Sequence, residues 1–186
     1  MNGLDKSKAF FKLGAIVFGL LCSSVAFAQE IVWASKVASF TSQASAHKYS
    51  AQMALGKPDA TADSTGKGWQ PVGSGKVETI VVSFEKPIHA KQILIVEGMH
   101  IGYIRHVYAI STDGVEYDVA QLGARPGSKN INLVTVNVAD FDIKIAQVKV
   151  VMFPIRNVAS TIDAIGITDS EQHYTLTKTH EMIAAQ

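Results

Sequence analysis

The sequence predicts an all-β domain, a sandwich or barrel of about eight short antiparallel strands. Short runs rich in Val, Ile, Thr, Phe and Tyr recur along it, with Gly, Pro, Asn and Asp between them at spacings of about 8–12 residues. Between Leu55 and Ser170 no stretch sustains the 3.6-residue apolar period of a helix.

The N-terminus carries a different signal. Lys6, Lys8 and Lys12 precede the apolar run Leu13–Cys22, and Ala26-Phe27-Ala28 follows it. This is the layout of a secretory signal peptide, with cleavage expected after Ala28. The run is about half the ~20 residues that a bilayer-spanning helix needs, so no permanent anchor is expected. The remainder, 29–186, is expected to be secreted or periplasmic, with no transmembrane segment. Cys22, the one cysteine, lies in the removed part, which leaves no thiol, disulfide or Cys-based metal site. Losing three lysines and Asp5 takes the formal net charge from +1 to −1. That value gives no support for nucleic acid or an anionic membrane as partner.

The elements follow in order. Ile31–Phe40 (IVWASKVASF) reads as a strand or extended arm, and Ser50–Leu55 suits one or two helical turns stopped by Gly56 and Pro58. Asp59–Gly75 is a long polar loop, and loops of that length in a compact domain are usually functional or pinned. Val77–Phe84 places Ile80, Val82 and Phe84 on one face by period two. Glu85-Lys86-Pro87 reads as a break before the apolar strand Lys91–Glu97 (KQILIVE). Ile104–Ile110 and Val115–Leu122 flank the turn signal Thr112-Asp113-Gly114. Asn132–Val138, Ile143–Met152 and Thr161–Thr168 complete the set. No linker divides 29–170, so one domain is expected. The tail 171–186 fits a short amphipathic helix, an added strand or a frayed end.

Motifs for catalysis are missing. Gly73–Val77 (GSGKV) lacks the first P-loop glycine, because Gln70 stands in its place. Ser74 lacks the G-x-S-x-G spacing of a hydrolase elbow, and the acids are scattered in turns rather than set as an opposed pair. The six histidines show no His-x-x-x-His pattern for zinc. The chain is not expected to be an enzyme.

Five pieces in order, ASKVASFTSQ, YSAQMALGKPD, Trp69, SFEKPIHAKQILIVEG and IDAIGIT, resemble the galactose-binding-like jelly-roll domains. These include the discoidin or coagulation-factor C-type domains and many bacterial carbohydrate-binding modules. The resemblance spans roughly 34–168 and implies a jelly-roll β-sandwich with a helical turn near 50–55. It also implies a calcium site after the alanine turn, completed by a late acid of the closing strand. Gly56 falls where the family's aspartate would be, and Lys57 beside it opposes a cation. Asp59, Asp63 and Asp163 are the acids left to hold calcium, with carbonyls and water supplying the remaining oxygens.

The resemblance places ligand contacts in loops at one end of the sandwich. There His100, Tyr103, Arg105, Arg156 and Asn157 are candidates, since forked donors and flat rings suit polar ligands. Trp69 either stacks on a sugar ring or plugs the sandwich end, and the plug is the preferred reading. The expected function is a non-catalytic binding module for a glycan or a cell-surface protein. The alternative is a structural or assembly protein of the cell envelope that docks a partner by an edge strand or the tail.

Overall fold

The computed structural model describes residues 30–59, 67–73, 75–127, 131–155 and 158–176, and the backbone of 182–184. Expectations for 1–28, Asp63, Ser74, Arg156 and Asn157 fall outside the described residues. Two antiparallel sheets face each other. The four-stranded sheet has the order β1 (Val32–Trp33), β9 (Ser160–Thr168), β4 (Gln92–Met99), β7 (Ile131–Asn137). The five-stranded sheet has the order β2 (Lys36–Phe40), β3 (Glu78–His89), β8 (Lys144–Met152), β5 (Ile104–Ser111), β6 (Glu116–Gln121).

The strand expected over 31–40 is two strands in different sheets. Ala34 donates its N–H to Ile165 of the four-stranded sheet, and Ser35 donates to Ser83 of the other. One extended segment therefore ties both layers together at a corner. The break expected at Pro87 is instead a register shift inside β3 between Ser83 and Ile88. Proline is tolerated there because an irregular step frees its position from donating to the ladder. The alanine turn is a single 3-10 turn, Ala51–Ala54, with both terminal alanines buried.

Period-two alternation builds the core. Ile80, Val82 and Phe84 of β3 face inward beside Val148, Val150 and Met152 of β8, against Ile93, Ile95, Ile165 and Ile167 of the other sheet. The strand β9 is buried along its whole length. Its second face matches Gly166 with Leu94, and Ala164 with Val96, on the outside of the four-stranded sheet. Trp33 lies opposite Gly166, and a Cβ there would approach the Trp33 ring to 2.8 Å.

That outer face is not open to water, because Leu94, Val96 and Ala164 are all buried. The tail folds back as a hairpin, β10 (Tyr174–Leu176) with β11 (Met182–Ala184), which approaches β7. Tyr174 is buried with its hydroxyl 3.5 Å from Thr168 Oγ1, and Lys91 pairs with Glu171 at 3.4 Å. The tail is thus an added pair of strands that packs on its own domain.

A buried aromatic truncated to alanine costs about 3 kcal/mol. Tyr174→Ala should lower unfolding free energy by about that amount in urea denaturation. A change close to zero would mean that the hairpin does not cover the sheet.

Candidate functional site

The connections 41–77, 99–103, 122–130 and 153–159 all join strands at one end of the sandwich, and each described candidate residue lies in or beside them. Trp69 anchors the longest. Its N–H donates to Ile162 O at 2.7 Å, and Ile162 N–H donates back to Trp69 O at 3.0 Å. Its indole N–H donates to Ser42 O at 2.8 Å, and the residue is 0% exposed. Gly68 has φ +100 and lies so close to β9 that a Cβ would sit 2.7 Å from Ile162 O. Only glycine fits that approach. Trp69 has no face left for a ligand and acts as a plug.

Ser42 extends this anchor. Its Oγ donates to Glu78 Oε2 at 2.7 Å and accepts the Val72 N–H at 3.0 Å, and Thr41 also donates to Glu78. The loop 99–103 is held in a similar way. Buried Glu97 accepts Gly102 N–H at 2.9 Å and the Asn132 side-chain amide at 3.0 Å. Gly102, with φ +86, presses against Arg125 O, where a Cβ would be 2.1 Å away. Arg105 donates to the carbonyls of Gly102 and Ile104 at 3.0 and 3.1 Å. Tyr103 is 4% exposed, and its carbonyl accepts the Phe153 N–H at 2.9 Å.

These contacts reassign the candidates. Tyr103 and Arg105 hold the loop together rather than offering it, because the ring is buried and the guanidinium is engaged with backbone. His100 is exposed, with Nδ1 3.1 Å from Ala159 O. Glu97 was not singled out by sequence reasoning. A lone acid closing the apolar run ILIVE was the available signal. The exposed apolar side chains were also missed: Val72, Val77, Phe153 and Ile155 at this end are each between 42% and 60% exposed.

Two of the acids expected to hold calcium, Asp59 and Asp163, are engaged by nitrogen donors. Lys67 Nζ lies 2.8 Å from Asp59 Oδ2 and 3.1 Å from Asp59 O. Asp163 Oδ2 accepts the Asp59 N–H at 3.0 Å. The Lys67 pKa is raised, first by its hydrogen bond to Asp59 and then by the charges of Asp59 and Asp163. An ammonium group and an amide N–H thus point at the oxygens that a divalent ion would require. The described residues do not fit calcium. No group of three or more His, Cys, Asp or Glu side chains suited to a metal occurs among the described residues.

Two histidines face acids, His106 with Asp118 at 3.2 Å and His89 with Asp142 at 3.3 Å. Among the described residues no serine or threonine hydroxyl hydrogen-bonds either ring; the His89 pair lies at the opposite end of the sandwich, and the His106 pair links β5 and β6 below the loop end. His106 instead stacks on Tyr108, with ring centroids 5.9 Å apart.

No family model matches the sequence, and no curated protein sequence matches it. Solved structures match its shape. Reduced XRCC1 bound to the DNA polymerase β catalytic domain gives a TM-score of 0.57 at 14% identity, covering 76% of this chain and 100% of that one. A family 32 carbohydrate-binding module from C. perfringens NanJ, in complex with galactose, gives 0.53 at 19% identity, covering 75% of this chain and 99% of that one. A putative chitobiase fragment from Bacteroides thetaiotaomicron gives 0.56 at 9% identity, covering 81% and 99%. At these identities the likeness is one of fold: this chain is a two-sheet all-β sandwich of the same shape as these domains.

Glu97→Ala leaves a buried N–H and an amide without their acceptor, which costs about 1–3 kcal/mol. Hydrogen exchange at Gly102 should speed up accordingly. Because Lys67 supplies the local cation, neither chelator nor added calcium should shift the melting temperature, whereas Lys67→Ala should lower it. A chelator-induced drop in the parent protein would contradict this.

Proposed function

We propose that this chain is a non-catalytic binding module acting outside the cytoplasm, with its ligand held at the loop end where β3 begins. A glycan or a protein surface is the ligand class. One observation carries the reading. The connections at that end are fastened from beneath by Trp69, Glu78 and Glu97, yet they leave Val72, Val77, Phe153 and Ile155 in water. Val77 and Phe153 flank the paired Glu78 and Met152, and neighbouring exposed apolar side chains on an ordered support suit a contact surface.

The glycan arm draws support from a structural neighbour, the galactose complex of a family 32 module. A half-exposed Phe153 ring also suits the apolar face of a sugar. The assembly alternative rests on edge strands such as β6, because the tail hairpin already packs on its own sheet.

A glycan array, probed with and without calcium, tests the ligand class, and Val77→Asp with Phe153→Asp tests the place. Binding should fall about tenfold or more in the double variant, as removal of central apolar contacts costs over 1 kcal/mol each, with melting temperature nearly unchanged. Full binding by the double variant would move the site away from this end.

A further inference from the structure

The formal charge of the chain is close to zero, but its distribution is not even. Among the described residues of the loop-end connections, Lys48, Lys57, Lys67, Lys76 and Arg125 stand against a single acid, Asp59. Asp59 is already paired with Lys67. Lys48, Lys57, Lys76 and Arg125 are exposed, and none has an acidic partner among the described residues. The acids on the strands there, Glu78, Glu97 and Asp163, are buried and engaged by hydroxyl, amide and backbone donors.

The opposite end has the reverse bias. Its connections, 90–91, 112–115, 138–143 and 169–173, carry Asp113, Asp140, Asp142, Asp169 and Glu171 against a single lysine, Lys91, and the adjoining strand ends add Glu116, Lys36 and Lys144. The long axis of the sandwich therefore separates charge. Such a distribution orients an approaching domain and concentrates anions at one end, even at a net charge near zero.

We infer that the loop end takes an acidic polysaccharide, a chain of uronate-like sugars, and this rests on the loop-end reading above. The cations are too dispersed to grip a single small anion. Lys48 lies beside Tyr49 (Nζ is 5.4 Å from its ring), Lys76 precedes Val77, and Arg125 sits against Gly102 on another connection. No described trio of them converges. A polymer with a carboxylate on each ring offers repeated charge to a dispersed array, while its hydrogen-bearing ring faces meet Val77 and Phe153. The acidic end repels the same polymer, so the domain would approach in one orientation.

The test is affinity electrophoresis and calorimetry with polygalacturonate, neutral galactan and anionic phospholipid vesicles as probes. The parent protein should bind polygalacturonate, prefer it to galactan, and weaken when salt is raised to about 0.5 M, where the Debye length falls to roughly 4 Å. Lys76→Glu with Arg125→Glu should weaken binding about tenfold or more, and Asp140→Lys should leave it within about twofold. All these positions are exposed, and unchanged melting temperatures confirm folding.

Equal binding of neutral galactan would overturn the acidic ligand while leaving the loop-end site intact. Binding to vesicles but not to polygalacturonate would overturn the polysaccharide. Loss of polygalacturonate binding in Asp140→Lys, with none in the Lys76/Arg125 variant, would place the site at the other end and sink both readings. No binding to any of the three probes would overturn this inference, with the glycan array then deciding the broader one.

Discussion

The two-way backbone pairing of Trp69 with Ile162 is the constraint on which the loop end depends. A long connection between two strands of one sheet has a large conformational entropy, and ordering it costs roughly 1–2 kcal/mol per residue of backbone. Here the connection is fastened midway to β9, a strand buried along its whole length. From that point the indole reaches Ser42, and Ser42 reaches Glu78 and Val72. The start and finish of the connection are thereby tied to its middle. What projects beyond these ties does so from an ordered base, which a contact surface requires.

Much of the fold was legible in the sequence because period two is a strong local signal. Ile80, Val82 and Phe84 announced both a strand and its inward face, and the Asp113-Gly114 turn announced a hairpin. What was not legible was set by distant partners. Ile31–Phe40 looks continuous, and its division between sheets follows from Ala34 and Ser35 bonding to residues far along the chain. The Pro87 break became a register shift because β8 supplied a partner on both sides. At the site, aromatic and basic residue types were visible, but burial was not. Tyr103 is in the core and half-buried Arg105 donates to backbone carbonyls, as only the packing of 99–103 against Arg125 decides. Net charge is silent on placement for a related reason. It sums over residues, whereas topology sorts them to opposite ends.

Lys67 shows how a covalently held cation can order an acidic loop. An ammonium group brings its charge covalently, with no dependence on concentration, and takes up the Asp59 carboxylate and carbonyl together. A lysine has a physical limit in this role. Three N–H donors order fewer oxygens than the six to eight that calcium collects, so the neighbouring backbone must itself be fixed. Gly68 and Trp69, pressed against β9, provide that fixation.

The pairing of β1 with β9 also bears on how the protein comes into being. Val32 lies opposite Ile167, so the first strand waits for its neighbour until β9 has left the ribosome. The hairpin that shields Leu94 and Val96 comes later still. Growing chains of this topology cannot finish their sandwich piece by piece, and pairings so distant in sequence place folding in the range of milliseconds to seconds. Throughout synthesis the Ile- and Val-rich strands stay exposed, which makes the nascent chain a natural client for chaperones that hold it extended.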